Sequence, residues 1–132
     1  MKPKAFYILL LVVITLLAGC SSKNDSSVSG YHTITAKEAK EMMDQNTDII
    51  ILDVRTEEEF NTGYIEGALL IPDNEITEKA EDTLTDKSAT ILVYCRSGRR
   101  SALAAKELSE LGYTNIYDFG GINDWDYDIV AK

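Results

Sequence analysis

Cys95 opens the run Cys95-Arg96-Ser97-Gly98-Arg99-Arg100-Ser101, set between the apolar stretch 89–94 and a helical pattern over 102–111. That order places a thiol at a strand end and at the mouth of a helix. Backbone N–H groups in such a loop and in the first helical turn lack intrahelical partners, so they converge on an enclosed anion. A thiolate is such an anion. Together with the helix dipole and the neighbouring guanidinium groups, the loop is expected to lower the Cys95 pKa and make its sulfur nucleophilic near neutral pH. The plain alternative is a buried strand-end cysteine followed by a solvated, basic helix start.

The elements that position this loop are legible on both sides of it. Thr35-Ala36-Lys37-Glu38 and Thr56-Glu57-Glu58-Glu59 have the capping-box form, so each is expected to start a helix, the first running to about Gln45. Between them, 49–54 is an almost unbroken β-branched run, the mark of a strand buried on both faces of a parallel sheet. Residues 68–71 read as a short strand stopped by Pro72, and Ile76, Ala80 and Leu84 form a narrow apolar stripe at helical spacing. The central strand is expected at 89–94, a helix over 101–111 ended by Gly112, and a last strand at 115–119. Strands alternating with helices give an open α/β sheet, whose active sites gather at the carboxyl ends of the strands. Cys95 and the segment from Asp53 to Arg55 both fall at such ends and should share that face; a buried Asp53 needs a cationic partner.

The cysteine run resembles the active-site loop of the rhodanese family of sulfurtransferases, in which the cysteine and the five residues after it form a cradle. Asp53-Val54-Arg55-Thr56 with Glu59-Phe60, Gly63-Tyr64-Ile65-Glu66-Gly67-Ala68, Ile71-Pro72, and Gly120-Gly121-Ile122 with Trp125 resemble rhodanese motifs in the family's order, over residues 31–130. Two departures stand out: Tyr64 occupies a position that is often histidine in the family, and the chain after Trp125 is short, so the last helix is expected to be short. The resemblance implies an open, mainly parallel sheet with helices on both faces and a cofactor-free, two-step transfer of a sulfane sulfur. It makes Cys95 the nucleophile that becomes a persulfide. The backbone of Arg96, Ser97, Gly98, Arg99 and Arg100 holds the anionic sulfur, the three arginines attract the donor, and Asp53 and Arg55 support the site.

The 132 residues suffice for one domain with a core, expected at 31–132, and are too few for two such domains in tandem. Lys2 and Lys4 precede an apolar run over 5–18, shorter than the ~20 residues a membrane-spanning helix needs, so 1–19 reads as a signal peptide. Its end, Leu17-Ala18-Gly19-Cys20, resembles a bacterial lipobox, which implies a lipidated Cys20 and a membrane-anchored, extracytoplasmic protein. The segment 20–30 has almost nothing to bury and reads as a flexible tether. With Cys20 lipidated, the chain's two cysteines leave no intrachain disulfide, and Cys95 stands as a lone thiol. Taking Lys2 and Lys4 from 13 basic residues leaves 11 against 22 acidic, a net −11, which excludes nucleic acid and a polybasic membrane patch as partners. The expected partners are a small sulfur-containing anion, a thiol acceptor and the membrane through its lipid. His32 is the sole histidine and reads as an exposed or packed residue, so no metal-ligand set exists. Trp125 and the seven tyrosines read as packing and rim residues.

Two other functions fit parts of this pattern. Cysteine-based phosphatases and arsenate reductases also use a cysteine–arginine loop, but typically with five residues between the two, whereas four separate Cys95 from Arg100. A non-enzymatic carrier or sensor of persulfide, or a partner-docking module, would keep the same cysteine without turnover.

Overall fold

Short β-branched runs separated by capped helices fold here into one parallel sheet. The computed structural model describes residues 30–131. The signal-peptide, lipobox and most of the tether assignments lie outside the described residues. The strands are β1 (His32–Thr33), β2 (Ile50–Asp53), β3 (Leu69–Leu70), β4 (Ile91–Cys95) and β5 (Ile116–Gly121), and they lie in the order β1-β5-β4-β2-β3 with every pairing parallel. Four α-helices intervene: α1 (Ala36–Gln45), α2 (Glu57–Thr62), α3 (Ile76–Thr83) and α4 (Arg99–Glu110). This is the expected α/β architecture, with β4 at its centre.

Both capping boxes form. Thr35 and Thr56 accept the backbone N–H of Glu38 and Glu59, whose carboxylates reach back to the threonine N–H groups. Strand alternation then sorts the core into two layers. Leu52, Val54, Ile91, Val93 and Cys95 meet Ile76, Ala80 and Leu84 of the narrow stripe and Ala104, Ala105 and Leu108 of α4. Leu92 and Tyr94 point the other way, toward Ala39, Phe119 and Trp125. Helices therefore cover both faces, as a parallel sheet requires.

Several boundaries differ from the sequence expectation, each for a local reason. α4 begins at Arg99, two residues earlier than the apolar pattern suggests, because Gly98 takes a positive φ of 106° and turns the chain directly into the helix. β5 runs on through Gly120 and Gly121, where Gly121 pairs with Cys95 across a break in the β4–β5 register. The polar pair His32–Thr33 adds an edge strand that no apolar alternation announces, and His32 is exposed and stacks on Tyr117 at 5.0 Å. After a 3-10 turn at Ile122–Asp124 no further helix follows among the described residues. Instead Tyr64 and Val130 exchange backbone hydrogen bonds of 2.8 and 2.9 Å, tying the chain's end to the segment after α2. Tyr64 itself lies against Phe60 with ring centroids 4.0 Å apart, so the residue that departs from the family pattern serves packing. Among the described residues no helix is long and apolar enough to cross a membrane.

Candidate active site

β4 ends at Cys95, and its sulfur turns into the bend formed by 96–98. Gly98 N–H donates to Sγ at 3.0 Å, and the thiol lies 3.6 Å from the Ser101 hydroxyl in the first turn of α4. Burial pushes the Cys95 thiol up, but the Ser101 hydroxyl and the backbone N–H groups of Ser101, Gly98 and Ser97 more than offset it, so the pKa falls below the ordinary thiol value. The direction matches the sequence expectation. The leading favourable contributions come from hydrogen bonds to the sulfur.

Ser101 was invisible as a site residue in the sequence, although a signal existed. It occupies the buried face of α4 ahead of Ala104, Ala105 and Leu108, a polar residue in an apolar stripe. Its side chain is fully buried, and its single hydroxyl proton is shared among the Gly98 carbonyl (3.0 Å), the Gly120 carbonyl (3.3 Å) and, once the thiol ionises, the sulfur. One hydroxyl thus joins the cysteine loop to the end of β5. Gly121 completes that junction: a Cβ there would run into the Arg96 carbonyl and Ser97 Cα, so only glycine lets β5 pass under the loop. Asn123 N–H also holds the Arg96 carbonyl, at 3.2 Å.

The three arginines of the loop are not equivalent. Arg96 and Arg99 are exposed, whereas Arg100 makes a bidentate pair with Glu59 at 2.8 and 2.9 Å. Through that pair, chiefly the Arg100 hydrogen bond, the Glu59 carboxyl is held at about 2 despite its partial burial. Glu59 also caps α2 through Thr56 N–H at 3.0 Å, so one carboxylate locks α2 to the loop. The basic island read from the sequence therefore contains two exposed guanidiniums and one committed to structure. Glu59 lies 41 residues from its partner, which is why adjacency along the chain could not reveal the pairing.

Asp53 and Arg55 do come to the carboxyl end of the sheet, but Asp53 shares its register with Tyr94 and so projects into the layer opposite Cys95. Arg55 grips it through Nε (3.0 Å to each oxygen) and Nη2 (2.6 Å), and Nη2 also donates to the Gly63 carbonyl at 2.7 Å. Both side chains are buried, and the pair ties β2 to the end of α2. Its place in the structure is that of an ion pair fixing the loops around the site. Trp125 is buried between Phe119 and Tyr127, a packing residue as expected. Among the described residues no group of three or more histidine, cysteine and acidic side chains could hold a metal ion.

A thiol thus ends the central parallel strand beside backbone N–H groups at the start of a helix, and a rhodanese-like domain model matches residues 35–128. The chain belongs to the rhodanese-like domain family. Within that family it is 40% identical over 73 residues to thiosulfate sulfurtransferase PspE of Escherichia coli K12, covering 55% of this chain and 70% of that protein. YrkF of Bacillus subtilis is 32% identical over 106 residues, 80% of this chain, which spans 55% of that protein's length. Among solved structures, an E. coli rhodanese with anions superposes with a TM-score of 0.60 at 36% identity, covering 64% of this chain and 99% of that one. The rhodanese fold and a relationship to proteins that transfer sulfur follow from these likenesses.

Proposed function

We propose that the protein is a rhodanese-type thiosulfate sulfurtransferase whose nucleophile is Cys95. One observation carries this reading: the buried Sγ accepts Gly98 N–H at 3.0 Å inside a loop that lowers its pKa. The Cys95 thiolate attacks the outer sulfur of thiosulfate, the sulfur–sulfur bond of the donor breaks, and sulfite leaves with the electron pair. The new sulfur remains on Cys95 as a persulfide in the same cradle. An acceptor thiol, or cyanide in the assay, then attacks the outer persulfide sulfur and regenerates the thiolate. Exposed Arg96 and Arg99 supply local positive potential in an acidic protein and draw the donor anion to the loop.

Phosphoryl chemistry fits less well, because Arg100, the residue that would clamp a tetrahedral oxyanion, spends its guanidinium on Glu59. The test is the purified domain assayed with thiosulfate and cyanide beside Cys95→Ser. Thiocyanate formation together with one added sulfur on Cys95 by mass spectrometry is the expected result, and transferase activity retained in Cys95→Ser overturns it. The same proposal places the protein on the extracytoplasmic face of the cell membrane, held by lipid on Cys20 after cleavage of 1–19. Two acyl chains suffice for stable anchoring where one is marginal. Fatty-acid labelling that disappears in Cys20→Ala is expected, and labelling that survives the substitution refutes the anchor.

A further inference from the structure

Beside the cysteine loop lies a cleft of about 570 Å³, bounded by α2, by Arg96 and by the chain that follows β5. Four charged side chains line it: Arg55, Glu58, Glu59 and Arg96. Two of these are neutralised in place, Arg55 by Asp53 and Glu59 by Arg100. Glu58 and Arg96 are exposed and enter none of the ion pairs found among the described residues. One available cation and one available anion therefore face a common space, and the cation, Arg96, directly follows Cys95 in the chain. Ile122 and Ile129 supply apolar wall, and Ile129 is 50% exposed. A dianion such as thiosulfate gains from Arg96 but is opposed by Glu58, so the cleft suits the second substrate better than the first.

We propose that this cleft is the acceptor subsite and that it takes a small zwitterionic thiol, with a carboxylate for Arg96, an amine for Glu58 and a short apolar body against Ile122 and Ile129. This rests on the reading of Cys95 as the persulfide carrier. The acceptor enters as its thiolate and attacks the outer sulfur of the Cys95 persulfide. A sulfur–sulfur bond forms to the acceptor as the bond to Cys95 Sγ breaks, and its electron pair returns to Cys95 as thiolate. The acceptor leaves as a persulfide with no external oxidant or reductant consumed.

The experiment loads the protein with sulfur from thiosulfate, removes excess donor, confirms the added sulfur by mass, and follows discharge by five probes. These are cyanide, cysteine, cysteamine, mercaptopropionate and mercaptoethanol, with each rate corrected for the thiolate fraction. Cysteine should half-saturate discharge at a concentration about fivefold below either singly charged thiol, the scale of one exposed charge pair. In Glu58→Gln the preference for cysteine over mercaptopropionate should fall about fivefold, and in Arg96→Gln the preference for cysteine over cysteamine should fall likewise. Equal half-saturation by all four thiols, or unchanged preferences in both variants, overturns the subsite while leaving the Cys95 chemistry intact. A persulfide that does not form, or that cyanide cannot discharge, overturns the Cys95 reading and the subsite with it.

Discussion

Replacing Ser101 by alanine removes the side-chain hydroxyl 3.6 Å from the Cys95 sulfur and leaves the Gly98 N–H in place. A hydrogen bond to a charged group contributes about 1.5–3 kcal/mol, and at 3.6 Å this one belongs at the low end, near 1.5 kcal/mol. At about 1.4 kcal/mol per factor of ten, ionisation of the Cys95 thiol should become about tenfold less favourable, its pKa moving up toward the ordinary value. The thiolate fraction well below the pKa then falls about tenfold, while the intrinsic nucleophilicity of the more basic thiolate rises about threefold, from a Brønsted slope of ~0.4–0.5. The net expectation is a pair of crossing profiles. Alkylation by iodoacetamide is about threefold slower than the parent on the acid limb and about threefold faster on the alkaline plateau. Ser101→Thr, which retains the hydroxyl, should restore the parent midpoint. A merely structural role for Ser101 would lower the amplitude without moving the midpoint, so an unmoved midpoint in a folded Ser101→Ala protein refutes the reasoning.

Glu59 is held at about 2, chiefly by its hydrogen bond to Arg100, against an ordinary value of 4.5. A depressed carboxyl stabilises the fold above its unfolded pKa and loses that contribution as pH falls through the folded value, so Glu59→Gln should flatten the decline of stability between about pH 4.5 and 2. Urea melts across that window check it, and a slope equal to the parent's counts against the pair. Asp53→Ala leaves a buried Arg55 unpaired and should cost about 3–5 kcal/mol in chemical denaturation, whereas removing both charges together should cost less than the sum of the single changes. Gly121→Ala should reduce sulfur transfer severely by displacing the Arg96 carbonyl, with the far-ultraviolet circular dichroism of the sheet retained. Parent-like activity in that variant would mean that the loop tolerates the shift.

What could be read in the chain before its structure is what depends on neighbours a few residues apart. Capping boxes at Thr35 and Thr56 span three residues, the runs that become β2 and β4 are continuous, and Cys95 announces itself by its own loop. The unreadable parts are those decided across the fold. His32 and Thr33 are a strand because Tyr117 and Asp118 offer them an edge, not because of any pattern of their own. The strand expected to stop at 119 runs on through Gly120 and Gly121, and at Gly121 the Arg96 carbonyl leaves no room for a side chain. Arg100 looks like a third donor-binding arginine until Glu59 is seen beside it. Ser101 looks like a helix-start residue until Cys95, six positions earlier, is found within reach of it.

An all-parallel sheet has two unlike poles. β1 is entered from the amino pole, and Cys95 closes β4 at the carboxyl pole. Any tension applied through the residues before Gly30 is therefore delivered at the end of the domain remote from the sulfur chemistry. On the proposal that the chain is anchored through Cys20, the flexible tether leaves from the pole remote from the reacting one, and an acceptor in solution reaches the sulfur without the attachment standing in its way. Moving the attachment to the carboxyl terminus, where Val130 is bonded to Tyr64 beside α2, would bring it near the cleft instead. Which end is tethered thus decides how close the attachment lies to the cleft.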